Sequence, residues 1–234
     1  MGNSTYFKII IWILKHVTHS METTWETPYD GQPAIFACNH ARAFGPIAMT
    51  VHFDLAKSSC SWINHQMMQA KMVPSYIRKD FWWKQGMWYT HIFDYTLPYI
   101  VALVIPPLFR GSGGIPVYHD MRVMQTFRES AEKLKSGKNI IIFPEKPVGY
   151  NEYSKELSTG FTSIARHLLR EGCKPPKFYP VHIDWKRKKI TVGSPVSYDP
   201  NLPVKEESIA IVSKLARTVN GSANDSASKK QLPV

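Results

Sequence analysis

Acid is scarce in this chain. Eighteen Asp and Glu stand against 29 Lys and Arg, a net charge of +11. An imbalance of that size asks for an anionic partner: nucleic acid, an anionic membrane surface or a phosphorylated substrate. Nucleic acid has only the charge in its favour. The cations are spread out, with one short cluster at 186–189, and no nucleic-acid motif accompanies them, so no nucleic-acid partner is expected. Cysteine is scarce too. The three residues (Cys38, Cys60 and Cys173) are far apart and form no CxxC, which argues against a disulfide framework and a zinc ribbon. A reducing cytoplasm is the default compartment, and Cys38, inside an apolar run, reads as a small core residue. The nine histidines contain no HExxH. His16 and His19 can share a helix face, but two such residues do not make a metal site, and none is expected.

Long apolar runs are missing as well. A spanning helix needs roughly 20 apolar residues. Ile9 to Leu14 is continuously apolar between Lys8 and Lys15 but much shorter. It carries no small-residue cleavage site, so no signal peptide is expected. Tyr6 stands where the myristoylation pattern wants Ser or Thr. An interfacial helix over residues 1–20, with Tyr6 and Trp12 as anchors, fits this pattern better. A second stretch, 97–109, is interrupted by Pro106-Pro107, which are expected to break it. Trp82, Trp83, Trp88 and Tyr89 precede it among cations, the composition of a headgroup region. The same stretch also suits a buried helical hairpin. Together the two stretches favour a peripheral protein on the cytoplasmic face of a membrane.

The remainder alternates short apolar runs with amphipathic stretches. Strands are expected at 34–39, 113–118, 138–145, 177–185 and 188–198, the last two paired through a basic turn. Helices are expected from Gly45-Pro46 to His52, then at 122–137, 159–172 and 204–219. Residues 54–112 read as a long, mostly helical insertion. The tail from Asn220 to 234 is small and polar and is expected to be disordered. The fold class is therefore α/β: a mostly parallel central sheet flanked by helices, in one domain over 21–219. Sites in such sheets lie beyond the strand ends, and Asn39-His40, Val117-Tyr118-His119-Asp120 and Phe143-Pro144-Glu145-Lys146 fall at three of those ends.

Four blocks stand in order: Asn39-His40, Gly113-Gly114-Ile115-Pro116-Val117, Phe143-Pro144-Glu145, and Tyr179-Pro180-Val181. Over roughly residues 30–198 this order resembles the PlsC-like glycerolipid acyltransferase (lysophosphatidic acid acyltransferase) superfamily. The resemblance implies a glycerolipid acyltransferase-like fold. It also implies an activity: transfer of a fatty acyl group from an acyl-CoA or acyl-ACP thioester to a lysophospholipid or related lipid acceptor. No further cofactor is implied; acyl carrier protein is a possible partner and His40 the general base. The family carries Asp five residues after its histidine, and this chain has Gly45. It has Arg where this chain has His119, and Gly-Thr-Arg where this chain has Lys146, Pro147 and Val148.

If His40 is a base, Gly45 does not orient it, and losing such a carboxylate costs a triad about 10⁴-fold in rate. One reading supplies another acid: Glu145, taken as the second catalytic residue, with Asp120 and the more distant Asp54 as alternatives. A second has an acceptor, such as an amine, that needs less help. A third has a catalytically impaired relative that binds lipid or a partner protein. Asn39, Arg42, His119, Lys146 and Lys155 are the substrate-binding candidates; of these Arg42, His119 and Lys146, with Lys155 from the following loop, would hold phosphate on the acceptor, arginine gripping in bidentate fashion and lysine as a point charge. An acyl groove lined from the insertion is expected.

Overall fold

The computed structural model describes residues 5–41, 44–79, 86–149 and 152–221. In chain order its elements begin α1 (Thr5–Val17), β1 (Glu22–Trp25), β2 (Ile35–Cys38), α2 (Gly45–Val51), β3 (Ser59–Asn64), α3 (Val73–Lys79), α4 (Thr90–Gly111) and β4 (Ile115–Val117). They continue with α5 (Val123–Lys135), β5 (Asn139–Ile142), β6 (Pro147–Gly149), β7 (Glu152–Tyr153), α6 (Ser163–Arg170), β8 (Phe178–Asp184), β9 (Lys189–Val192) and α7 (Val204–Val219).

Seven strands make one sheet in the order β1-β9-β8-β2-β5-β3-β4, and β6-β7 is a separate hairpin. The neighbours β8, β2, β5, β3 and β4 are parallel throughout. β9 returns antiparallel from β8 through the basic turn, where Lys188 takes a positive φ of 56°. The chain is thus α/β, with a mostly parallel mixed sheet between helices.

Burial on both faces explains the uninterrupted apolar strands. Ile35 and Ala37 of β2 face one way, with Ile140 and Ile142 of β5, onto Ala131 and Leu134 of α5, Ile164 and Leu168 of α6, and Ile211 and Leu215 of α7. Phe36 and Cys38 face the other way, with Ile141, Tyr179 and Val181, onto Ala48 and Met49 of α2 and Phe53. Gly137 and Gly172, at φ of 81° and 72°, follow α5 and α6 and supply the left-handed stop that glycine allows.

Three expectations change. The segment 54–112 is not wholly an insertion, because it contributes β3, which sits between β5 and β4 in the sheet. Ser59-Cys60-Ser61-Trp62 alternates small polar residues with larger apolar ones over too short a run to stand out from its aromatic surroundings. Second, Pro106-Pro107 do not break the apolar stretch: α4 runs 22 residues through Pro98, Pro106 and Pro107. Proline at a helix interior frees the carbonyl four residues back, and the one freed by Pro98, on Asp94, accepts a hydrogen bond from Arg78 Nε at 2.9 Å. Packing holds the later turns, since Ile105 and Phe109 sit on Ile63, Met67, Val73 and Ile77. Third, Asn220 is anchored, its side-chain amide donating to Lys155 O at 3.0 Å. The rest of the expected tail, 222–234, lies outside the described residues, as do Trp82 and Trp83.

Candidate active site

All five parallel strands end on one rim. β2 and β5 pair with Ala37 opposite Ile142, and counting on three residues brings His40 level with Glu145. Pro144 has no N–H to continue the ladder, so the chain leaves β5 there, tied by Ser158 N–H donating to Pro144 O at 2.9 Å. Glu145 then turns toward β2. Its Oε2 accepts from the backbone N–H of His40 at 2.6 Å and from His40 Nδ1 at 3.2 Å. Both side chains are largely buried, with 20% of the histidine's and 10% of the glutamate's exposed.

This contact assigns the tautomer. A carboxylate accepts, so Nδ1 is the donor, and in the neutral ring the lone pair then lies on Nε2. Among the described residues Nε2 makes no hydrogen bond. The β6-β7 hairpin folds back over the ring, with Tyr153 stacked on His40 at 4.2 Å and 6° and Phe143 tilted against it at 5.0 Å. The imidazole is therefore held in plane, with its Nδ1 edge on the carboxylate.

The turn after His40 is tight. Ala41 takes a left-handed φ of 45°, and Gly45 N–H donates to His40 O at 2.7 Å. Left-handed backbone costs an alanine about 1–2 kcal/mol. Ala41→Gly removes that strain but adds about 0.4–1 kcal/mol of unfolded-state entropy. The expected result is a net stabilisation of about 1 kcal/mol or less in urea denaturation. A loss instead would mean that the Ala41 methyl, which packs on the Phe36 side of the sheet, outweighs the strain.

Of the three acids considered, only Glu145 reaches His40. Asp120 is fully exposed and held by Arg122, whose side chain lowers its pKa to about 2. Asp54 accepts from Trp25 Nε1 at 3.4 Å and lines an open hollow of about 430 Å³ with Trp25, Pro28, Tyr29 and Leu55. A second hollow, of about 160 Å³, lies among Gln32, Leu134, Cys173 and Lys177. Neither hollow touches His40. Cys38, two residues before His40, is not a nucleophile. Burial, and after it the charge of Glu145, raises its thiol pKa well above the ordinary value, and Sγ donates to Phe36 O.

Among the described residues, the substrate-binding candidates expected from the sequence do not converge. Asn39 is a clamp between strands: its Nδ2 donates to Ile183 O at 3.1 Å and its Oδ1 accepts from Ile183 N–H at 2.7 Å. Lys146 and Lys155 are exposed beside the β6-β7 hairpin, Lys146 O accepting from Ser154 N–H at 2.8 Å. His119 is exposed at the end of β4, three strands from β2, hence about 14 Å across the sheet. Arg42 lies outside the described residues.

The rim holds one histidine that the sequence reading missed. His65 follows Asn64 at the end of β3, a second Asn-His pair. Its ring packs on Tyr118 at 5.0 Å, and Arg122 lies over that same Tyr118 ring at 4.4 Å. His65 is 9% exposed, and its buried Nδ1 has no partner among the described residues. The repeated dipeptide was its signal, hidden once β3 was read as helical. The carboxylate separates the two pairs: among the described residues His40 is hydrogen-bonded to one and His65 is not.

Against protein-family models, curated proteins and solved structures, the chain matches none.

Proposed function

We propose that the chain is a membrane-associated acyltransferase with a glycerolipid acyltransferase-like fold, in which His40 is the general base and Glu145 its orienting acid. The observation that carries this reading is the hydrogen bond from His40 Nδ1 to Glu145 at the end of adjacent parallel strands. It supplies the carboxylate that Gly45 lacks, from the neighbouring strand instead of the same turn.

The chemistry is assigned to Nε2, which makes no hydrogen bond among the described residues. It takes the proton of an acceptor hydroxyl as the oxygen attacks the carbonyl carbon of an acyl thioester. The new C–O bond forms, the C–S bond breaks, and the imidazolium returns its proton to the departing thiolate. Glu145 stabilises the imidazolium between these two transfers. Coenzyme A and acyl carrier protein are both suitable thiols, and a lysophospholipid is the acceptor that matches the basic charge. Lys146, the residue after Glu145, is the cation we assign to its phosphate.

The test is thiol release from acyl-CoA and acyl-ACP thioesters with a pool of lysophospholipid and amine acceptors. Turnover in the wild type that disappears in His40→Ala is the expected result. Lipid binding by both proteins, with turnover by neither, would replace this reading with that of a lipid-binding relative.

A further inference from the structure

Two helices leave a large apolar surface uncovered. α1 turns Tyr6, Phe7, Ile10, Ile11 and Leu14 partly toward the protein and exposes Ile9, Trp12, Ile13 and Val17. The exposed set follows an i, i+3, i+4, i+8 spacing, a second apolar stripe where a surface helix normally carries polar residues. α4 repeats the arrangement. Leu97, Val101, Ala102, Ile105 and Phe109 pack on the domain, while Ile92, Tyr95, Tyr99, Ile100 and Leu103 face out. Trp12 is 62% exposed and Leu103 77%. The helices are neighbours, Tyr6 Oη donating to Val104 O at 3.3 Å. Their exposed stripes amount to more apolar surface than a monomer in water ordinarily shows.

The charges say what covers it. α1, α3 and α4 carry Lys8, Lys15, Arg78, Lys79 and Arg110 against a single acid, Asp94. Tyrosine and tryptophan stand beside these cations, as they do at the headgroup level of a bilayer. A second copy of the chain would bring the same cations against themselves, whereas an anionic leaflet complements them.

By length and composition α4 can cross a bilayer, and its 22 residues rise about 33 Å. Its contacts oppose crossing. The domain covers one side of the helix from Leu97 to Phe109, about 18 Å of its length. Asp94, near one end, is bonded to α3, and the other end enters β4 of the central sheet within four residues. A spanning helix carries its ends to opposite sides of the membrane, and both ends of α4 belong to one side.

We infer that α1 and α4 form a single monotopic seat, lying side by side in one leaflet of an anionic bilayer with Trp12 and Leu103 in the acyl region and the flanking lysines and arginines at the phosphates. This extends the membrane association proposed above and does not depend on acyl transfer, so His40→Ala should bind vesicles as the wild type does.

The experiment is flotation of the full chain with vesicles of phosphatidylcholine alone and of phosphatidylcholine with phosphatidylglycerol, without thioester. Wild type and His40→Ala should float with the anionic vesicles and less with the neutral ones. Trp12→Glu combined with Leu103→Glu should weaken partition roughly a hundredfold or more while the circular dichroism and unfolding midpoint hold, because two apolar side chains buried in the acyl region are each replaced by a charge. Topology is read in a Cys173→Ser background, in sealed vesicles treated outside with an impermeant maleimide. Met87→Cys and Arg110→Cys should both react and Leu103→Cys should be shielded. Flotation unchanged by the double substitution would overturn the seat. A Met87 or Arg110 site that reacts only after the vesicles are opened would show a spanning helix instead. A dimer in solution that Trp12→Glu dissociates, with no flotation, would make the face a contact between copies.

Discussion

Glu145→Gln is expected to lower the turnover of the proposed acyl transfer by about 10⁴-fold, as removing the orienting carboxylate of a triad does, with little change in KM. Glutamine is the informative replacement. Glu145 Oε2 receives two donors, the backbone N–H of His40 at 2.6 Å and the ring Nδ1 at 3.2 Å. Alanine would orphan both and risk the strand end, since a buried unpaired donor costs about 1–3 kcal/mol. The glutamine carbonyl still accepts from the backbone, so the turn keeps its shape and the unfolding midpoint should stay close to that of the wild type. What is lost is the charge that stabilises the imidazolium, together with the certainty that Nδ1 holds the proton, because the amide can offer an N–H to that nitrogen instead. Both losses fall on the chemical step and appear in kcat. A variant that keeps most of its turnover would show that Glu145 is structural and that the proton leaves by another route.

The position of Glu145 also shows which features the sequence made legible. β2, β5 and β8 are apolar on both faces, and α5, α6 and α7 carry clear apolar stripes, so their periodicity survives in the letters alone. His40 and Glu145 were visible because each follows such a run. Their contact was not, because it depends on the β2-β5 register, in which Ala37 meets Ile142, and no local pattern encodes pairing between strands about a hundred residues apart. Besides β3 and β6, the strands that escaped notice are polar and short: β1 is Glu-Thr-Thr-Trp and β7 only Glu152-Tyr153. Tyr153 escaped with β7, although it covers one face of the imidazole. The same limit explains the scattered phosphate residues. Asn39, His119 and Lys155 lie near motif-like letters, but strand order decides what meets, and it sets β4 three positions away from β2.

Gly45→Ala is expected to destabilise the protein at or above the upper end of the ~1–3 kcal/mol usual for overpacking, and to remove turnover with it. A Cβ at Gly45 would stand 2.5 Å from Asn39 O, 2.7 Å from His40 O and 2.9 Å from His40 C. All three are backbone atoms, so no side-chain rotation relieves the contact. The turn itself must open, which breaks the 2.7 Å bond from Gly45 N–H to His40 O and pulls His40 away from Glu145. Gly45→Asp suffers the same clash before its carboxylate reaches anything. Restoring the acid that the acyltransferase pattern carries at this position should therefore lose activity. Urea denaturation and thioester turnover, run on both variants, check this. Activity gained in Gly45→Asp would mean that the turn relaxes and that His40 accepts a partner from its own loop. Loss in both would mean that the turn is closed around glycine and admits no side chain at this position.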